Sequence, residues 1–380
     1  MAVQKIRCAI VRGGTSKGIF LLANDLPRDK EERDKVICSI FGSPDVRQID
    51  GLGGADPLTS KLAIIARSSR PDADVDYTFG QVSIDAAYID YSGNCGNISA
   101  GVGPFAVDEG LVNACEGTTV VRIHNTNTQK IIVAEVPMDD GKAAVYGDCA
   151  IDGVPGTGGR IMLDYSDTAG AVTGKMLPTG NPTDVFDVPG FGPLTVSIVD
   201  VANPMVFVRA KDLKLTGTEG PKEVNGNSDL LKLLETIRGM AAVKIGMARD
   251  LEDALKRSPA FPMLAFVSPP ADYKSYTTGQ IVPASTVDLV SRLMFMQTMH
   301  KTYAGTGTIC TGSAIKIPGT VVNEMVKDAD KKTLFQIGHP SGCMDVEVAV
   351  AQKGGAVTLT KAAMSRTARR IMDGFVYVRR

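Results

Sequence analysis

The chain has 380 residues, 44% of them hydrophobic, which is the share expected of a globular protein and enough for two cores of about 190 residues each. Lys and Arg number 41 against 42 Asp and Glu, so no global basic field exists to recruit nucleic acid or a membrane surface, and any anion site must be local. No apolar run approaches a membrane span, and the opening Met1-Ala2-Val3-Gln4-Lys5-Ile6-Arg7 lacks an apolar leader; the expectation is a cytoplasmic protein without membrane or nucleic-acid partners.

In chain order, Ile6–Arg12 reads as a strand that ends at the loop Gly13-Gly14-Thr15-Ser16-Lys17-Gly18, and Ile19–Leu22 resumes extended structure. Asp25-Leu26-Pro27 precedes an amphipathic helix over Lys30–Phe41, with Val36, Ile37, Ile40 and Phe41 on one face. Strands around Val75–Val82 and Ala87–Tyr91 lead to Cys95, and Ile98–Val112 reads as a helix, after which strands dominate to about Gly180. The second half begins with strands over Gly192–Val201 and Asn203–Val208, then helices around Leu230–Gly239 and Leu251–Arg257. Ser285-Thr286-Val287-Asp288 resembles a capped helix start, with Leu289, Leu293, Met296 and His300 on one face at helical spacing. Gly305–Cys310 opens a further helical segment toward Val326, and Gly374–Arg380 closes the chain as a strand. Each half thus reads as strands wrapped about one helix with a small, polar N-terminus. Domain edges are expected at 1–183 and 184–380, the last strand being a candidate to return to the first domain.

The seven cysteines, Cys8, Cys38, Cys95, Cys115, Cys149, Cys310 and Cys343, are scattered and form no Cys-x-x-Cys pair, which argues against a disulfide framework and a thiolate zinc site. His124, His300 and His339 show no His-x-x-x-His spacing, so no metal is expected. Cys95 stands out because Ser92-Gly93-Asn94-Cys95-Gly96-Asn97 is a collar of small and amide residues opening a helix. Amides at a helix N-terminus lower a thiol pKa and attract a carboxylate or enolate, so one position can serve proton transfer and anion binding together. An ordinary packing cysteine needs no such collar. Lys61, at the end of Asp50-Gly51-Leu52-Gly53-Gly54 through Thr59-Ser60, is approached by glycines and hydroxyls. It is either a solvated turn lysine or an amine beside a ligand, able to neutralise a carboxylate or, desolvated, to act as a base. Gly13–Gly18 lacks the order of a phosphate loop, and Gly101-Val102-Gly103 and Gly305-Thr306-Gly307 do not complete a dinucleotide fingerprint. His300 is either a ligand donor or a residue favoured by a helix C-terminus. Cys310 and His339 are weaker candidates, and His124 reads as a strand residue.

Taken together, Arg12–Gly18, Asp50–Gly54 with Thr59-Ser60-Lys61, Gly93–Asn97, Met299-His300-Lys301-Thr302-Tyr303-Ala304 and Ile317–Asn323 resemble the 2-methylaconitate isomerase family, which includes methylitaconate delta-isomerases and oxalomesaconate tautomerases. The resemblance implies an α+β fold of the diaminopimelate epimerase type, two similar domains each with a curled, mostly antiparallel sheet around a central helix. Epimerases of that fold use two facing thiols, the second in a Cys-Gly-Thr-Gly turn. Here Gly305-Thr306-Gly307 lacks that cysteine, and Cys310 falls after it. The resemblance therefore implies an asymmetric pair, Lys61 and Cys95, as catalytic groups, with Thr15, Ser16, Ser60, Asn94, Gly96, Asn97 and His300 holding the carboxylates. The implied activity is a cofactor-independent shift of a C=C bond in a small di- or tricarboxylate by allylic proton transfer, methylitaconate to 2,3-dimethylmaleate being the expectation taken here. Methylaconitate and oxalomesaconate are the alternative substrates, and a carboxylate-binding protein without turnover is the alternative class. A homo-oligomer is compatible with the sequence, which leaves the oligomeric state open.

Overall fold

The structure, a computed structural model, describes residues 3–353 and 356–379. The chain forms two compact units, the first comprising Met1–Leu163 with Arg366–Arg380 and the second Asp164–Ser365.

In the first unit, β1 (Val3–Gly13) turns back at Gly14-Thr15 into β2 (Ser16–Leu22), with Gly13 opposite Ser16. The C-terminal strand Ala368–Arg379 lies antiparallel along the other edge of β1, from Val3 opposite Arg379 to Gly13 opposite Ala368. Next to β2 runs β3 (Lys61–Arg67) in parallel, then β4 (Val75–Val82) antiparallel to β3. A two-residue β5 (Ile89–Asp90) pairs with the end of β4. β6 (Thr118–Asn125) runs parallel to β4, and β7 (Lys130–Asp139) antiparallel to β6. α1 (Lys30–Phe41) starts on Asp29, whose side chain accepts from Glu32 N, and ends at Gly42 in the left-handed region. Its Ile37, Ile40 and Phe41 pack with Ile6, Leu21, Leu62 and Ile64 in one hydrophobic cluster.

The other helix, α2 (Gly96–Asp108), is buried at every position except Pro104 and Asp108. A helix that is apolar all round belongs inside a sheet rather than on it, and strands β1, β2, β3, β6 and β7 all touch α2. Two glycines let the sheet close this tightly: a Cβ on Gly101 would lie 2.9 Å from Phe20 Cζ and from Val11 Cγ1, and one on Gly103 would lie 2.7 Å from Val136 Cγ2.

The second unit repeats this plan. Strands Asp184–Val188, Gly192–Val201 and Asn203–Arg209 are antiparallel neighbours. Met263–Ser268 is parallel to the last of them and antiparallel to Leu289–Phe295. Leu334–His339 follows in parallel and Gly342–Lys353 in antiparallel order. The helix Gly305–Ile315 is buried at every residue, and Gly307 and Gly312 admit Leu293 and Val346 as its close neighbours. Helix Ser228–Lys244 packs through Leu234, Ile237 and Ala241 into a cluster with Val196, Leu264 and Phe266.

Three sequence expectations are corrected. The helix expected from Ser285 to His300 is a strand, Leu289–Phe295, preceded by a short 3-10 turn at Ala284–Thr286. All seven strand residues are buried, which a surface helix with one apolar face cannot achieve but an interior strand with neighbours on both edges can. Met296 and Gln297, both at positive φ, form a two-residue turn that sends the chain back through Thr298–Met299. The helix opening at Gly305 stops at Ile315 rather than continuing toward Val326, because Ile317-Pro318-Gly319 follows. The unit edge falls at Leu163/Asp164 rather than at 183/184. Residues 164–183 are tied into the second unit by Asp200, whose carboxylate accepts from Val172 N (2.9 Å), Thr173 N (2.6 Å) and Thr173 Oγ1 (2.8 Å). No helix among the described residues is long and apolar enough to cross a membrane.

Candidate active site

Lys61 opens β3, between Gly18 on β2 and Gln81 on β4. Only 3% of the residue is exposed. Nζ donates to Gln81 Oε1 at 2.9 Å, shares a hydrogen bond with Cys95, and lies 5.4 Å from the centroid of the Phe79 ring. Burial holds its pKa below the ordinary lysine value, while the charges of Cys95 and Asp56 and the bond to Cys95 pull the other way. The segment leading into Lys61 is fixed from below. Ser60 Oγ donates to Gln48 Oε1 at 2.8 Å, and the same oxygen accepts from Ala55 N.

Cys95 is the N-cap of α2, in extended conformation and 8% exposed. Ser99 locks it from the first turn: Ser99 N and Ser99 Oγ donate to Cys95 O at 2.8 and 2.9 Å, and Ser99 Oγ reaches Asn94 Oδ1 at 3.3 Å. Asn94 Oδ1 also accepts from Cys95 N at 2.7 Å. The β1–β2 turn closes against this helix end. Asn97 Nδ2 donates to Thr15 Oγ1 at 3.1 Å and Asn97 Oδ1 accepts from Thr15 N at 3.4 Å. Gly13 and Gly14 make that approach possible, since a Cβ on Gly13 would lie inside contact with Asn97 O and 3.1 Å from Ile98 Cα. Gly14 further requires its positive φ of 51°. Arg12 braces the turn through Nη1, which donates to Gly14 O (3.0 Å) and Thr367 O (2.8 Å). Ser16 Oγ is buried without a hydrogen-bond partner, a hydroxyl whose desolvation is uncompensated within the protein.

Of the sequence-selected residues, Thr15, Ser16, Ser60, Lys61, Asn94, Cys95, Gly96 and Asn97 therefore gather in the first unit, at the start of α2 and the adjoining ends of β1, β2 and β3. An amine, a thiol, hydroxyls and amides stand together where the helix partial charge favours an anion. His300 belongs to the second unit, five residues ahead of the helix Gly305–Ile315. It is buried, and its Nδ1 accepts from Thr302 N at 3.1 Å, so the neutral ring carries its proton on Nε2. Cys310 lies inside that helix, donates to Val199 O at 3.3 Å, and is pushed far above the usual thiol range by burial. His339 is buried and accepts from Ser341 N, and His124 pairs with Asp76 on the neighbouring strand at 2.9 Å. Among the described residues no group of three His, Cys, Asp or Glu side chains could hold a metal ion. Sequence reasoning missed Gln81 and Gln48. Gln81 is one of several polar residues in β4, with Asp76 and Thr78, so composition gave no signal, and its contact with Lys61 depends on the β3–β4 register.

A family model described as PrpF protein matches residues 3–379. The chain is 62% identical over 375 residues to the 3-methylitaconate isomerase of Eubacterium barkeri, an alignment covering 99% of this chain and 97% of that protein. A crystal structure of methylitaconate-delta-isomerase matches with a TM-score of 0.81 at 61% identity, over 100% of this chain and 96% of that one. A hydroxyproline epimerase from Agrobacterium vitis, at 11% identity, TM-score 0.58, and 98% and 93% coverage of the two chains, shares the fold alone. The fold is thus of the diaminopimelate epimerase type, as the two helix-centred units anticipate. With the match running from β1 into the C-terminal strand, the chain belongs to the PrpF family and is an isomerase of that family.

Proposed function

We propose that the chain moves the C=C bond of a small unsaturated dicarboxylate, converting 3-methylitaconate into 2,3-dimethylmaleate, with Lys61 and Cys95 as the proton-transfer groups. The observation that carries the reading is the hydrogen bond between the desolvated Lys61 amine and Cys95 at the first turn of α2. The substrate is taken from the relative at 62% identity named 3-methylitaconate isomerase.

The C–H to be broken lies beside one carboxylate and is allylic to the double bond. Its removal adds negative charge to a molecule already charged, giving a dienolate, so preorganised donors must meet that charge. The start of α2, with Thr15, Ser16, Asn94, Gly96 and Asn97 around it, supplies them, and Ser60 holds the approach to Lys61. Lys61, as the amine, takes the proton from the substituted carbon. Electron density moves to the methylene terminus, which takes a proton from the Cys95 thiol and becomes a methyl group. The Lys61–Cys95 hydrogen bond then returns the proton from ammonium to thiolate and resets the pair. Both transfers use side chains, so the reaction as proposed requires no metal or organic cofactor.

The test is ultraviolet assay of wild type, Lys61→Met and Cys95→Ser with methylitaconate, methylaconitate and oxalomesaconate, with calorimetric titration of each ligand. Each variant is expected to lose about 10²-fold or more in kcat while still binding ligand, and methylitaconate is expected to turn over fastest. Binding without conversion of any of the three by wild type would make the chain a carboxylate-binding protein. A Cys95→Ser variant as active as wild type would remove Cys95 from the chemistry.

A further inference from the structure

We propose that Gln81 is a positioning residue that aims the Lys61 amine, an inference that rests on the reading of Lys61 as a proton-transfer group. Gln81 is 1% exposed and stands directly opposite Lys61 in the β3–β4 register. Its Nε2 donates to two backbone carbonyls, Pro57 O at 3.2 Å and Ser60 O at 3.1 Å. Carbonyl oxygens can only accept, so the amide nitrogen must face them, and the amide oxygen must face Lys61 Nζ. The flipped amide would set oxygen against two oxygens and NH2 against the lysine. Oε1 is thereby a fixed acceptor at 2.9 Å from Nζ, and it directs one N–H of Lys61 whether the amine is charged or neutral.

The clamp also ties that aim to the loop before β3. Pro57 and Ser60 belong to the segment that delivers Lys61, so Gln81 holds the lysine's backbone approach and its side-chain tip with one amide. The charged or titratable groups facing Nζ are Cys95 from the start of α2 and Asp56 from the preceding loop. β4 contributes Gln81 and Phe79, neither of which titrates. An acceptor at Oε1 favours the ammonium, and its removal favours the amine.

The test replaces Gln81 by Met, which keeps length and removes the acceptor, and by Glu, which keeps an acceptor but withdraws both Nε2 donors. The Lys61 titration is followed by NMR of protein labelled with [13Cε]lysine, assigned with Lys61→Met, in parallel with kcat and KM against pH. In Gln81→Met the Lys61 midpoint and the rising limb of kcat are expected to move to lower pH. The kcat plateau should fall about a hundredfold, as for a misplaced catalytic group, with KM nearly unchanged. In Gln81→Glu the midpoint is expected at or above that of wild type, and this variant decides the matter if the Met variant does not fold. A Met variant with the wild-type midpoint and pH limb, or a Glu variant with a midpoint below wild type, overturns the proposal. If wild type converts none of the three carboxylates but the midpoints shift as stated, Gln81 positions Lys61 and the substrate reading alone fails.

Discussion

Burying Lys61 places an ammonium where water cannot solvate it, and its pKa lies below the ordinary lysine value for that reason. Between the folded-state and unfolded-state values the unfolded chain binds a proton that the folded chain does not. Stability therefore rises with pH through that window, and the penalty is complete below the folded-state value. Lys61→Met is expected to lose about 10²-fold or more in kcat and, because it removes the group whose charged form burial penalises, to lose the pH dependence of stability that Lys61 contributes. Relative to wild type, the variant should gain melting temperature as the pH is lowered through that window. Turnover follows the same group in the opposite sense to acid: kcat should rise with pH as the amine fraction grows, and the limb should vanish in Lys61→Met. Lys61 and Cys95 were legible in the sequence because glycines and amides surround them, a signal of backbone approaching a ligand. Gln81 and Gln48 were not, because each acts across a register or a loop closure that no short window contains.

At the level of elements, the β1–β2 turn and the start of α2 behave as one part. The reciprocal Thr15–Asn97 bonds and the glycine approach leave no room for a methyl group at Gly13. Gly13→Ala should push the turn off the helix, costing about 1–3 kcal/mol in denaturant titrations and reducing kcat/KM. Asn97→Ala, which removes the bonds but adds no bulk, should cost about 1 kcal/mol and raise KM. Where elements were misread, the cause was periodicity. Leu289 and Leu293 are four residues apart, a spacing shared by one helix face and by one face of a strand, and the all-buried run between them decides for the strand. The two glycine-rich helices run against the low helix propensity of glycine, and their burial inside the sheets offsets it.

For the whole molecule, the plan of two helix-centred units was readable from the two matching patterns, whereas the edge between them was not. Asp200, far along the chain, decides to which unit residues 164–183 belong. The first unit is also discontinuous, because its β1 is completed by the C-terminal strand over most of both lengths. Glu109, at the end of α2, is held by Arg7 from β1 at 2.8 Å and by Arg370 from that last strand at 2.8 Å. Removing residues 366–380 should therefore unfold the first unit and leave the second folded. Circular dichroism and amide exchange would show protection confined to 164–365.

That closure has a consequence for how the protein is made. β1 leaves the ribosome long before its partner strand, which follows more than 350 residues later, a wait of roughly 20–70 s at ordinary rates of synthesis. The segment that is continuous in sequence can mature while the ribosome is still at work. The portion bearing Lys61 and Cys95 must stay unfinished until the strand Ala368–Arg379 has emerged, so a nascent chain stalled before that strand should carry no activity.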